Sequence, residues 1–256
     1  MVSVATQQGY IYEKNVKDFL QPMGLVPKNY TASMANKGKS PDITLFYDNK
    51  LVGCELKMST ASAGSLVMKF NPKDGWSFNP LDDATDKEKI VLSEIADQVG
   101  LWKTVNAKWN HTPFKIDKKY QDVKWKAIVG RLSKQDQYRR DKEAFPELKG
   151  DIPTSKIEQY YNMKNTFYIN VGTHGFYLLG NKNPLNLTGV PRFSDSASAC
   201  YRARVQPKGG GSYQFTFEMN FGIKKKSPFN IAPLRKGSSA IVEKDADLRP
   251  FKDLYK

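Results

Sequence analysis

The sequence predicts an α/β fold, and three observations predict it. An amphipathic helical stripe opens the chain, alternating β-rich runs follow between residues 43 and 70, and a long stretch of helical periodicity comes after them. A basic, strand-rich half completes the chain. The expected layout is a core over residues 1–110 and an elaboration over 111–256, packed together as one unit.

The first element is read over Gly9 to Leu20, where Tyr12, Val16, Phe19 and Leu20 line one face and Gly24 lies beyond the end. ITLFYD (Ile43 to Asp48) and LVGCELK (Leu51 to Lys57) then form a hairpin about Asn49-Lys50. In the second run Val52, Cys54 and Leu56 share one face, and Leu51, Gly53, Glu55 and Lys57 share the other. LVMKF from Leu66 offers a third strand, and NPKDG before Trp76 a turn. Thr85 to Glu88 has the capping-box pattern, and Val91, Ile95, Val99, Trp102 and Val105 predict one helix through Lys108.

Farther on, KKYQDVKWKAIVGRL (Lys118 to Leu132) and QYRRDK (Gln137 to Lys142) read as partly helical. Thr166 to Val171 and Phe176 to Leu179 read as strands around GTHG. Ala199 to Val205 and Ser212 to Phe221 form the clearest hairpin, its second strand alternating Tyr213, Phe215, Phe217, Met219 and Phe221 with polar residues. From Ser227 the chain is irregular, a tail that either wraps the domain or moves freely.

Composition narrows the function. With 39% hydrophobic and 26% charged residues over 256 positions, the chain is expected to fold. No run nears the length of a membrane helix and no secretory signal opens the sequence, so a cytoplasmic protein without a membrane partner is expected. Cys54 and Cys200 are too few for a disulfide framework or a zinc site, so any metal is held by oxygen. Walker, nucleophile-elbow and dinucleotide-binding fingerprints are absent.

The formal net charge of +14 is concentrated in one part of the chain. Residues 1–100 carry 11 lysines and no arginine against 12 acidic residues, a net of −1, whereas residues 101–256 carry 29 basic and 14 acidic residues, a net of +15. An excess of this size suits a polyanion, because each neutralised phosphate releases counterions. DNA is the expected partner.

SPDITLFYDNKLVGCELK sets Pro41-Asp42 at the entrance of one hairpin strand and Glu55-Leu56-Lys57 at the far end of the other. Antiparallel pairing brings those ends together, and the period of two points Glu55 and Lys57 to one side. Two carboxylates and an ammonium meeting at one spot match the needs of phosphodiester cleavage: hard oxygen ligands for Mg²⁺, and a cation near the attacking water and the scissile phosphate.

On Pro41, Asp42, Glu55 and Lys57 the chain resembles the PD-(D/E)xK nuclease superfamily, which includes type II restriction enzymes. The resemblance covers roughly residues 9 to 109. It implies a restriction-endonuclease-like αβββα core with a central mixed sheet and a Mg²⁺-dependent DNA endonuclease, with Mn²⁺ as a substitute. Asp42 and Glu55 would bind the metal, Lys57 would orient or deprotonate water, and Glu13 would supply a third acid from the upstream helix. Sequence-specific cutting of restriction type is the first expectation. A structure-specific or recombination nuclease, or a binding protein that keeps the fold without catalysis, is the alternative.

Expected nucleic-acid contacts are Ser59 and Thr60 just past the motif, Arg139 and Arg140, Arg202, Arg204 and Lys208 on the late hairpin, and Lys224, Lys225 and Lys226 after it. His111 and His174 have no second ligand at a telling spacing, and structural or surface roles are expected of them. Cutting both strands needs two active sites, for which a homodimer is one solution that the sequence neither shows nor excludes.

Overall fold

The computed structural model describes residues 4–28, 41–59, 62–78, 87–111, 134–208, 212–232, 234–235, 241–242 and 246–251. The chain runs through α1 (Val4–Leu20), β1 (Ile43–Tyr47), β2 (Lys50–Lys57), β3 (Ser62–Val67), β4 (Lys69–Asn71) and β5 (Gly75–Ser77). Next come α2 (Lys87–Gln98), α3 (Leu101–Lys108), α4 (Lys134–Ala144), β6 (Leu148–Ile152) and α5 (Thr154–Met163). β7 (Thr166–Val171), β8 (Gly175–Leu178), β9 (Ala197–Lys208), β10 (Ser212–Ile223), β11 (Leu234–Arg235) and β12 (Ile241–Val242) follow. The architecture is mixed α/β, with a mixed four-stranded sheet in the order β1-β2-β7-β8 and a second four-stranded sheet in the order β3-β10-β9-β6.

Two compact units result, neither contiguous in sequence. One comprises Ser62–Ile152 and Cys200–Asn220; the other comprises Val2–Ala61, Pro153–Ala199 and Phe221–Lys256. A boundary at residue 110 therefore runs through the first unit.

The unit that contains the motif is built around the mixed sheet. β1 and β2 form the expected hairpin, with Tyr47 opposite Lys50. Its two-residue turn is Asp48-Asn49, one position earlier than expected, with φ of 50° and 56°. Both central residues of this turn must be left-handed, which Asp and Asn tolerate and Lys does not favour. β2 then pairs in parallel with β7, and β7 in antiparallel with β8. The strand added to the motif hairpin is thus 166–171, where the sequence pattern suggested 66–70. The earlier run belongs elsewhere: β3 pairs with β10 and β4 with β5.

α1 buries Tyr12, Val16 and Leu20 against this sheet, in a core shared with Ile43, Leu45, Val52, Cys54, Leu56, Tyr168 and Phe176. β2 is buried on both faces from Val52 to Leu56, as expected of a strand with a parallel neighbour. The tail wraps this unit. Ile231, Ala232, Leu248 and Phe251 join the core, and the Phe251 ring lies 5.2 Å from Tyr47 and 6.2 Å from Phe176.

In the other unit, Trp76, Trp109, Phe145 and Phe215 form an aromatic core, with ring centroids 5.1–6.2 Å apart. The single helix expected through Lys108 is two, α2 and α3, separated at Gly100, whose φ of 69° is incompatible with a continuous helix. QYRRDK is helical as expected, within α4. The Thr85-Asp86 half of the capping box and the 118–132 segment lie outside the described residues. The polar face expected for β10 is also covered, since Thr216 and Glu218 are buried. Among the described residues no helix is long and apolar enough to cross a membrane.

Phe251→Ala should test how far the tail belongs to the core. Its fully buried ring predicts a loss of about 3–5 kcal/mol, read by denaturant titration; a loss under about 1 kcal/mol would show the tail to be an accessory strap.

Candidate active site at the motif hairpin

The antiparallel register puts Ile43 opposite Cys54, so Asp42, one residue before β1, falls beside the end of β2. Its Oδ2 accepts a hydrogen bond from the Leu56 amide at 2.8 Å. Gly53 makes this approach possible. A Cβ there would stand 2.5 Å from the Asn165 carbonyl and 2.9 Å from the Pro41 ring, so only glycine leaves room for Pro41-Asp42. The proline and the glycine together deliver the first carboxylate.

Glu55 and Lys57 project to the same side, as the period of two requires, and the Lys57 ammonium lies 2.6 Å from Glu55 Oε1. Glu55 is nearly enclosed, with 4% of its side chain exposed against 21% for Lys57. The other Glu55 oxygen, Oε2, is buried and has no hydrogen-bond partner among the described residues. Such an oxygen carries a desolvation cost unless a donor or a cation reaches it.

Electrostatics tie a third acid to the pair. Burial raises the Asp42 pKa to about 8, helped by the nearby Glu55 and Glu13 charges and opposed by Lys57 and the Leu56 amide. Glu13, on α1, is raised by burial and by Glu55, while Lys57 pulls it down. Burial works against the Lys57 ammonium, but Glu55 and Asp42 outweigh it and hold its pKa above the ordinary lysine value. Asp42, Glu55 and Lys57 of the motif, with Glu13 from α1, therefore form one electrostatic cluster, short of positive charge.

One participant was missed by sequence reasoning. Asn170, opposite Leu56 in the parallel register, is fully buried, and its Nδ2 donates to the Tyr12 hydroxyl at 3.1 Å. Its Oδ1 accepts from the Ile231 amide at 3.1 Å. This amide joins the tail, β7 and the helix that bears Glu13. The available signal was an asparagine inside the apolar run TFYINV, a position where a strand buried on both faces rarely holds a polar side chain.

The donor chemistry suits a hard divalent cation: carboxylate oxygens, one of them unsatisfied, in mutual repulsion. Among the described residues no group of three His, Cys, Asp or Glu side chains is arranged to hold a metal ion. Two carboxylates remain, the usual number for a Mg²⁺ site completed by water and substrate phosphate.

The expected nucleic-acid contacts have different fates. Ser59 is exposed just beyond β2, and Thr60 lies outside the described residues. Arg139 and Arg140 are exposed on α4, Arg139 pairing with Asp136 at 2.6 Å. Arg202 is held by Glu147 through two bonds of 2.9 and 2.6 Å, and Arg204 by Glu218 at 3.0 Å. Lys208 ends β9, and Lys224 to Lys226 are exposed after β10. His111 is exposed beside Asn110. His174 sits in a 3-10 turn after β7 with Nδ1 enclosed and unpartnered among the described residues.

Comparison with protein-family models, curated proteins and solved structures finds no match to this chain.

The raised pKa of Asp42 has a signed consequence. A carboxyl that holds its proton more tightly when folded favours the fold at low pH, and that contribution is lost as pH rises from the ordinary value of 3.8 to about 8. In metal-free buffer the melting temperature of the wild type should fall across this window relative to Asp42→Asn, which has no proton to lose. Parallel curves for the two proteins would contradict a repelled carboxylate at this position.

Proposed function

We propose that this chain is a divalent-cation-dependent nuclease that hydrolyses DNA phosphodiester bonds. The observation that carries the reading is the meeting of Asp42, Glu55 and Lys57 at one end of β2, with Asp42 on the Leu56 amide and Lys57 on Glu55. Asp42 and Glu55 would hold Mg²⁺ or Mn²⁺, and Glu13 would add negative charge behind them. When bound, the cation supplies a Lewis acid that polarises the phosphate and offsets charge in the transition state.

The protein's own residues do the rest. Lys57 is kept protonated by its carboxylate neighbours, so its first role is as a fixed cation that orients the attacking water and draws in the scissile phosphate. The Leu56 amide keeps Asp42 aimed at the site. Asn170 and Tyr12 hold α1, and with it Glu13, against the strand ends.

A sequence-specific endonuclease of restriction type is the preferred form, because the basic residues beyond the hairpin exceed what cleavage alone requires. A structure-specific or recombination nuclease shares the same chemistry. Cutting both strands of a duplex would call for a homodimer. A binding protein without catalysis is the second reading, favoured by the closed Lys57–Glu55 pair, which also satisfies the geometry of a plain buried ion pair.

Cleavage separates these readings. Plasmid and oligonucleotide DNA should be cut with Mg²⁺ or Mn²⁺ and left intact with EDTA, and Asp42→Ala or Lys57→Ala should each slow cutting by on the order of 10²-fold or more. Either cation should also raise the melting temperature of the wild type but not of Asp42→Ala. Cutting at full rate by both variants would refute the site; binding without cutting by the wild type would favour the second reading.

A further inference from the structure

Beyond the sheet, the chain builds a basic rim next to the acid cluster. β2 and β7 run parallel with Lys57 opposite Val171, so both leave the sheet at the same end. In open α/β sheets this is the end at which ligands bind. β7 exits through Gly172, whose φ is +36° and where a Cβ would stand 2.1 Å from the Met58 carbonyl. The turn Gly172–His174 is therefore pressed against the residue that follows Lys57. His174, two residues past Gly172, lies within about 8 Å of it along the chain.

That turn is clamped to the lysine run. The Tyr177 hydroxyl donates to the His174 carbonyl at 2.7 Å and also lies 3.0 Å from the Lys225 carbonyl. It accepts from the Ser227 amide at 3.0 Å, and the same amide reaches the His174 carbonyl at 2.9 Å. The Ser196 carbonyl accepts the Lys224 and Lys225 amides at 2.8 and 3.0 Å. Asn230 Nδ2 holds the Gly172 carbonyl at 3.1 Å. One phenol thus joins the backbone of His174 to that of Lys225, while the side chains of Lys224, Lys225 and Lys226 stay exposed.

We propose that the His174 turn and Lys224–Lys226 form one phosphate-binding strip, which takes the sugar-phosphate backbone of the nucleic acid beside the acid cluster. The proposal rests on the nuclease reading for the identity of the polyanion and adds to it a named binding subsite. Its chemistry is that of backbone contacts: three ammonium groups supply charge without base information, and a partly exposed imidazole supplies a directional donor. The placement answers an electrostatic need, because Glu55 and Glu13, joined by Asp42 when it is ionised, repel a phosphate and Lys57 alone does not balance them. The clamp fixes the backbone of the strip in advance, which leaves the exposed lysine side chains as the part to be ordered on binding.

The test measures binding and not cleavage. A fluorescein-labelled DNA duplex is titrated with the full chain in EDTA over a salt series, with anisotropy as the readout. The triple variant Lys224→Gln, Lys225→Gln, Lys226→Gln should lower the log–log salt slope by about 2–3, since each lost phosphate contact on duplex removes about 0.9. His174→Gln should weaken binding about tenfold, and His174→Asn should do the same. Lys14→Gln, which removes an exposed charge on α1, should leave affinity within about twofold. All variants are expected to melt as the wild type does. Unchanged slopes in the triple variant, or a wild-type affinity in both His174 variants, would overturn the joined strip. Normal binding without cleavage on adding Mg²⁺ or Mn²⁺ would instead count against the nuclease reading and leave the strip in place.

Discussion

The constraint on which this structure turns is the burial of carboxylates that the fold has brought together, with repulsion among them added to the cost of drying. Burial raises the proton affinity of Asp42 and of Glu13; Glu55 and Glu13 add to it at Asp42, and at Glu13 the push from Glu55 is outweighed by Lys57. One ammonium and one backbone amide oppose them. Nothing in folding alone calls for such a grouping, because a buried like-charge cluster costs stability that an apolar cluster of the same volume would not. Proteins accept that cost at sites where a cation or a reacting group completes the charge balance.

Holding the cluster together takes pieces from distant parts of the chain. Gly53 admits Pro41, which fixes where β1 begins and so where Asp42 stands. β7 pairs along β2 from Gly53 to Lys57, with a register shift between Gly53 and Cys54, and so holds the end of β2 in the sheet. Asn170 on β7 reaches α1 through Tyr12 and the tail through Ile231. The tail closes the core with Phe251, so segments separated by more than two hundred positions in sequence converge on a few ångströms of strand. Long-range closure of this kind is entropically expensive to form, and the apolar burial around the site offsets it.

Much of the site was legible from sequence because it is local. A hairpin of known period puts Glu55 and Lys57 on one side and brings Asp42 to their level, and the structure places all three there. Glu13 came from the resemblance, which implies an acid on the upstream helix, and its electrostatic contact with Glu55 and Lys57 is one that no local pattern supplies. The failures came where partners are remote. LVMKF has the makings of a third strand, but local pattern does not say which sheet a strand joins, and β7 won the place beside β2 through a parallel crossover no window could show. Gly100 sits inside an unbroken helical periodicity, and only its left-handed backbone reveals the stop. Arg202 and Arg204 are expected as nucleic-acid contacts from sequence, where nothing reveals that Glu147 and Glu218 lie within reach. For the same reason the alternation along β10 does not reveal that Thr216 and Glu218, on its polar side, are buried.

The ion pairs of Arg202 and Arg204 bear on how the charge excess should be read. Net charge counts every basic residue equally, but a guanidinium already engaged by a carboxylate offers little to a phosphate, because its hydrogen bonds would have to be exchanged and not gained. Contacts to a polyanion would fall instead to cations that remain exposed, such as Lys224 to Lys226 and Arg140. Of these, only the lysine run is linked through hydrogen bonds to the turn that follows β7, and β7 is the strand aligned with Lys57. The unit that contains the motif thus carries both signs of charge in one piece of structure, the negative set enclosed at the strand ends and the positive set exposed beside it. A polyanion drawn by the exposed set would be brought toward the enclosed one, and the balance at closest approach would fall to Lys57 and to any cation that the carboxylates held.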